Sequence, residues 1–346
     1  MYKGRILRIL ATAAAMLLLL SGCSSARKDA VAKISAKYRV PGDKQLIVYT
    51  SHKEEVYLPI IREFENRTGI WVEIHAGGTA EMFEEVRNAS ASGACDIMFG
   101  GGIESFEAQK DLFLPYETKE RAMLDAEYLS SEDLWTPFTE LPLVFVYNNK
   151  LVSAEEAPRR WSDIFSEKWK GQIAFADLHN SGTSYTILSA FSQITGRASA
   201  DFMPEFIGLL DGKVLSSSGQ IVPSVSNGRF AVGVTLEETA LKGIAAGYDI
   251  SMVYPEDGTS TVPDGVAMVV NAPHSYNAGL FIDFVVGLDT QKYAMDEFCR
   301  RTVRTDIDPS ESFGVIKRAE FDIVRSAQDE EAVFEIWDSL NKEGGR

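Results

Sequence analysis

A strand, a polar or glycine-rich loop and a helix succeed one another three times in the first third of this chain, and that order leaves few folds open. Leu46-Ile47-Val48-Tyr49 is a short apolar run ended by the polar Thr50-Ser51-His52-Lys53. Val56, Leu58, Ile60, Ile61 and Phe64 then recur at helical spacing within Glu55–Thr68, and Gly69 stops the helix. Ile70-Trp71-Val72-Glu73-Ile74, the loop Ala76-Gly77-Gly78-Thr79 and a helix over Met82–Ala89 repeat the order. Asp96-Ile97-Met98-Phe99, the loop Gly100-Gly101-Gly102 and a helix from near Ile103 supply it a third time. Strands alternating with helices predict an α/β fold, a parallel sheet covered by helices on both faces.

The order changes after Leu114-Pro115-Tyr116. Leu143-Val144-Phe145-Val146-Tyr147 is a wholly apolar strand, a second α/β region runs from there to about Asp264, and Val266-Ala267-Met268-Val269-Val270 is another apolar strand. From Tyr276 onward the sequence reads as mostly helical. We expect the chain to cross between two lobes at these two strands. Residues 44–143 and 271–346 then form one lobe, and 144–270 are inserted as the other. Length agrees, because even without its first 22 residues the chain exceeds the roughly 250–300 residues at which a single core stops growing. Hydrophobic residues at 45% and charged residues at 24% are values of a globular chain, not a disordered one.

The N-terminus carries an address. Lys3, Arg5 and Arg8 form a basic start, Ile9 to Leu20 is apolar or small, and Leu20-Ser21-Gly22-Cys23 follows. The apolar core is short of the about 20 residues that span a bilayer and fits a secretory signal. Its four-residue end resembles the bacterial lipobox. That resemblance implies cleavage after Gly22, a lipid on the Cys23 sulfur, and anchorage in the periplasm or at the extracytoplasmic cell surface; two or three acyl chains hold where one is marginal. Residues 1–22 are then a lipoprotein signal peptide and 23–43 a tether. Cys95 and Cys299 have no framework spacing and read as buried free thiols. The formal charge is −16, and the leader holds only positive residues, so the mature chain is more acidic still. Such a surface argues against nucleic acid or anionic lipid as partner, but not against a small anion met by local donors in a cleft.

Trp161-Ser162-Asp163-Ile164, Lys168-Trp169-Lys170-Gly171, Ile173 and Ser181-Gly182-Thr183 form a run with a recognisable pattern. So do Asp96-Ile97 ahead of a glycine loop and Ala272-Pro273-His274 ahead of a helix over Ala278–Phe284. Together they resemble the extracellular solute-binding proteins of bacterial ABC importers, in the branch with iron(III)-, hexose-phosphate- and aminoethylphosphonate-binding members. The resemblance covers roughly Lys44 to Arg300. It implies the two-lobed, type II periplasmic-binding-protein fold, with a ligand cleft between lobes joined by two hinge strands. It also implies a monomeric clamp, without cofactor, that closes on a solute and hands it to a membrane permease driven by an ATPase subunit.

In open α/β sheets, ligands sit beyond the carboxyl ends of the strands. In the first lobe those ends place Ser51 and His52, Gly78 and Thr79, and Gly100, Gly101 and Gly102 among the candidates. Each loop precedes a helix and offers free backbone N–H groups and a positive dipole end. Ser51 can donate a hydrogen bond, and His52 can donate, accept or change charge near its ordinary pKa. In the second lobe Ser181-Gly182-Thr183 opens a helix. Ser181 can cap it, and its hydroxyl with the following N–H groups suits a phosphate or carboxylate. In the resembled iron-binding members a matching Ser-Gly pair holds an anion. His179 and Asn180, just before it, and Ser218 within Ser216-Ser217-Ser218-Gly219 join the candidates.

Thr235-Leu236-Glu237-Glu238-Thr239 stands where the resembled iron-binding members carry adjacent tyrosines, and Gly101 stands where they carry a glutamate. A ferric ion needs several anionic oxygen ligands, so no metal site is expected. Glu237 or Glu238 suits sugar hydroxyls or an ammonium group instead, the other being a solvated acid at a helix start. A small anionic solute follows, phosphorylated or phosphonate, with a hexose phosphate ahead of aminoethylphosphonate. Iron(III) binding and a ligand-sensing partnership with a membrane receptor kinase are the alternatives. The chain has no H-E-x-x-H, G-x-S-x-G or P-loop pattern, and His52, His75, His179 and His274 show no paired-ligand spacing, so an enzyme is not expected.

Overall fold

The computed structural model describes residues 40–344. The chain divides into Met1–Lys44 and Gln45–Arg346. The leader, Cys23 and most of the tether lie outside the described residues. The three rounds read from sequence form β1 (Gln45–Thr50), α1 (Glu54–Thr68), β2 (Trp71–Ala76), α2 (Thr79–Ser90), β3 (Ile97–Gly102) and α3 (Ile103–Ala108). Short strands β4 (Phe113–Leu114), β5 (Thr136–Pro137) and β6 (Thr139–Glu140) follow. Next come β7 (Leu143–Asn148), β8 (Ile173–Ala174), α4 (Gly182–Thr195), α5 (Ser199–Leu210), α6 (Ile221–Ser226), β9 (Val232–Leu236), α7 (Glu237–Ala245) and β10 (Ile250–Val253). The last elements are β11 (Asp264–Val269), α8 (Ser275–Val285), α9 (Leu288–Phe298), β12 (Arg301–Thr302) and α10 (Ile323–Gly344).

Two sheets divide these strands. The first has the order β2-β1-β3-β11-β4, with β5 also on β11; β1, β2 and β3 are parallel and β11 runs against β3. The second has the order β10-β7-β9-β8, with β7 antiparallel to both neighbours. Each sheet anchors its own core. On α1, Val56, Ile60, Ile61 and Phe64 are buried against the first sheet, and Gly69 ends the helix in the left-handed conformation (φ 66°), its N–H bonding the Glu65 carbonyl. β7 is apolar from Leu143 to Tyr147 because both of its faces are covered. Leu143, Phe145 and Tyr147 pack with Trp161 and Phe191, while Val144 and Val146 pack with Ile221, Val222 and Val225 on the opposite face.

Several motif residues serve the fold. Buried Asp96 accepts from Ile47 N–H at 2.8 Å and His274 N–H at 2.7 Å, and sits 2.8 Å from His274 Nδ1, tying β1 and β3 to the start of α8. Trp161 Nε1 donates to the Gly258 carbonyl at 2.8 Å, and Asp163 Oδ2 accepts from the N–H groups of Arg159 and Arg160. Among the described residues Cys95 is free and buried; Cys299 is also free but half-buried, because it closes α9 in a left-handed turn (φ 55°) near the surface.

The chain passes between the sheets just ahead of the two expected strands, through 138–142 before β7 and 254–263 before β11. A third connection, 303–322, leads to α10. The three run side by side. Thr259 Oγ1 donates to the Leu143 carbonyl at 2.6 Å, Thr259 N–H to the Lys317 carbonyl at 2.9 Å, and Ala319 N–H to the Thr259 carbonyl at 2.9 Å. The expectation that 271–346 belong wholly to the first lobe does not describe α10. Its Val333 and Trp337 are buried in the core of the second sheet, with Trp337 Nε1 donating to Asp177 Oδ2 at 3.3 Å.

Candidate functional site

A cleft of about 570 Å³ lies between the two sheets' loops. The first lobe contributes Ser51, His52, Gly78, Thr79, Gly101 and Gly102 to its walls, and the second contributes Asn180, Ser181, Gly182, Thr183, Ser218 and Glu238. Twelve of the fifteen residues singled out in the sequence thus meet in one space. The lobes touch along it: a Cβ on Gly182 would lie 2.8 Å from Thr79 Oγ1, and Lys242 Nζ of α7 is 3.0 Å from Glu55 Oε1 of α1.

Gly100, His179 and Glu237 do not line the cleft. Gly100 lies behind it (φ 103°), where a Cβ would meet Ser51 Oγ at 2.9 Å, so its role is to let that loop close-pack. His179 Nε2 is 2.7 Å from Asp338 Oδ1 and its ring packs on Phe334 of α10. Glu237 is buried in a two-pronged pair with Arg301, at 2.7 and 2.8 Å, and accepts from the Tyr254 hydroxyl. Tyr254 lies on one crossing segment and Arg301, in β12, donates to the Gly314 carbonyl of another at 2.7 Å, so the carboxylate braces the junction of the lobes.

Four helices of eight residues or more present their N-termini to the cleft. α1 and α7 carry glutamates in their first turns, and in α2 Glu81 Oε2 already accepts the Gly78 N–H at 3.2 Å. α4 has no acid in its first turn. Ser181 caps it, its Oγ accepting the Ser184 N–H at 3.2 Å, while the hydroxyl hydrogen stays available. The Gly182 and Thr183 N–H groups have no carbonyl one turn back to bond.

The cleft is also lined by Arg300 and Asp264, which sequence reasoning missed. Buried Arg300 donates through one NH to Asp264 Oδ2 and to Thr139 Oγ1 at 3.1 Å, and its other NH lies 3.7 Å from Glu238 Oε1. Arg300 Nε has no hydrogen-bond partner. Burial alone would raise the Glu238 carboxyl, but Arg300, Lys242 and Lys53 outweigh it and bring the group to about 2. At Asp264 burial wins over Arg300 and Thr139, and the carboxyl is raised. Burial, then Arg300, hold the His52 imidazole well below its ordinary value. His52 is therefore neutral, and the expected change of charge near neutrality is not available to it. Its Nε2 sits 3.5 Å from Asp264 Oδ2, and its ring packs edge-on against Phe99 and Phe138. The result is a polar wall whose charges are paired internally. Among the described residues no group of three or more His, Cys, Asp or Glu side chains is placed to hold a metal ion.

Two α/β lobes around a polar cleft, lined by helix N-termini from both lobes and by internally paired charges, define a two-lobed binding protein. The chain belongs to the family of bacterial extracellular solute-binding proteins, whose model matches residues 95–322. It is 24% identical to iron uptake protein A1 of Synechocystis over 80% of this chain and 79% of that one. It is 22% identical to a putative 2-aminoethylphosphonate-binding periplasmic protein of Salmonella typhimurium over 77% and 79%. A periplasmic binding protein from Actinobacillus pleuropneumoniae, solved with fructose-6-phosphate bound, superposes with a TM-score of 0.79 at 21% identity, over 86% of this chain and 98% of that one. The type II periplasmic-binding-protein fold expected from sequence is thus the fold of this chain.

Proposed function

We propose that this protein captures a small anionic solute, phosphorylated or phosphonate, by closing its two lobes, and delivers it to the permease of an ABC importer. The observation that carries the anion is the start of α4. A helix N-terminus holds roughly half a positive charge, and this one opens into the cleft with no acid in its first turn, facing the start of α2. A phosphate or phosphonate between them satisfies the free N–H groups and the Ser181 hydroxyl. The group of Arg300, Asp264, Glu238 and His52, with Lys242 on Glu238, offers donors and acceptors whose charges are already paired, which suits the hydroxyls of a sugar. Acids already held by Arg300 and Lys242 are poor ligands for a ferric ion, which favours a hexose phosphate over iron(III).

Calorimetry of the mature protein with fructose-6-phosphate, 2-aminoethylphosphonate and ferric citrate tests this reading. Fructose-6-phosphate is expected to bind, and Ser181→Ala to weaken it ten- to a hundredfold, the worth of one charge-assisted hydrogen bond of about 1.5–3 kcal/mol. Binding of ferric ion alone, with a visible charge-transfer band, would replace the anion reading by iron transport. The periplasmic names of the relatives and the lipobox support a location outside the cytoplasm with Cys23 as anchor. Cys23→Ser is expected to abolish palmitate labelling and release the protein from membranes. Labelling that survives the substitution would remove the anchor.

A further inference from the structure

Glu104, in the first turn of α3, is 1% exposed and bonds across the gap between the lobes: Thr186 Oγ1 of α4 lies 2.5 Å from its Oε1. The Thr186 oxygen is also 3.2 Å from the Gly182 carbonyl. One hydroxyl hydrogen cannot serve both acceptors. If the carboxyl supplies the proton, Glu104 donates to Thr186 and Thr186 donates to Gly182, and both bonds are made. Glu104 Oε2 is buried with no partner.

Among the described residues no cation compensates the group. β3 brings glycine backbone toward it, and on β11 Asp264 is turned to Arg300 and Thr139. α4 brings Tyr185, whose hydroxyl donates to the Ser326 carbonyl. α10 brings Glu330, a second acid, while Arg325 on that helix is 3.6 Å from Asp329. An ionised carboxylate in such a place costs several kcal/mol and is relieved by taking up a proton.

We propose that Glu104 is a proton-dependent latch: closing the lobes buries it as a neutral acid against Thr186, so that closure takes up a proton and is favoured at mildly acidic pH. The proposal rests on the clamp motion described above. Burial raises the closed-state carboxyl to about 7, and Glu330 is raised to about 7 by burial and by Glu104. In an open cleft a solvated glutamate titrates near about 4.3. Between these values closure binds one more proton. The closed-to-open ratio therefore falls as pH rises from about 4.3 to about 7, by at most tenfold per unit, and levels off above.

The test needs no identified solute. Nitroxides on Arg62→Cys in the first lobe and Asp201→Cys in the second, in a Cys299→Ser background, report the interlobe distance of the solute-free mature protein at pH 5.5 and 8. The closed-to-open ratio is expected to fall tenfold or more between them. Glu104→Gln keeps a donor for Thr186 at every pH and is expected to hold the acid-pH ratio throughout, while Glu330→Gln leaves most of the response in place. A wild-type ratio equal at both values, or a full response in Glu104→Gln, overturns the latch. A shift to the short distance with fructose-6-phosphate in those same samples shows that the clamp stands although the latch does not.

Discussion

Arg300→Met is expected to cost about 3–5 kcal/mol of stability at pH 7, the range seen when one partner of a buried ion pair is removed. Asp264 and Glu238 are 2% and 3% exposed, and both lean on this guanidinium. Methionine fills the volume but leaves two buried acids, of which only Glu238 retains a cation, Lys242 at 3.0 Å. The pH dependence has a definite sign. In the wild type the Glu238 carboxyl is depressed to about 2, so its contribution is complete above the unfolded value near about 4.3 and is lost only as pH falls through about 2. In the variant Asp264, already raised, escapes by protonation, so the deficit shrinks as pH falls from 7 to 5. Urea unfolding at both values checks this, and Arg300→Met combined with Asp264→Asn should recover part of the loss. A deficit under 1 kcal/mol at pH 7 would mean that water reaches these acids in solution.

Gly182→Val is expected to lower affinity for fructose-6-phosphate at least a hundredfold while leaving the urea midpoint nearly unchanged. The new Cβ would stand 2.8 Å from Thr79 Oγ1 and 3.2 Å from Thr79 Cβ. Those atoms belong to the other lobe, and at 2.8 Å one of the two must move away. The residue is the first of α4, capped by Ser181, so the helix itself loses little. The steric conflict exists only when the lobes meet, so the variant folds but cannot close, and a ligand that binds the closed form better loses that advantage. Calorimetry with near-wild-type affinity in this variant would place the solute away from the α2–α4 junction.

The two variants probe parts of the site that differ in how visible they are in sequence. Ser181-Gly182-Thr183 announces itself as a cap, a glycine and a further donor at the start of an apolar-periodic run. Arg300 and Asp264 have no such signature. One follows a left-handed turn at Cys299 and the other precedes an apolar strand, and nothing between them predicts that they share a hydrogen bond. His179 and Glu237 err the other way. Each sits beside a true cleft residue in sequence, yet each is turned to a distant partner, Asp338 and Arg301.

What the sequence by itself determined is local and periodic: the β1–α1–β2–α2–β3–α3 order, the apolar runs of β7 and β11, the glycine turns, and the loops of both lobes that line the cleft. Hydrophobic period, caps and chain stops act within a few residues and can be read there. Only the tertiary structure decided which acids face the solute, which brace the crossing segments, and that α10 buries Val333 and Trp337 in the second core. Charge pairing and lobe membership depend on distances between residues far apart in the chain, and burial makes those pairings obligatory: once removed from water, Asp264, Glu237 and Glu238 must find a cation wherever the fold brings one.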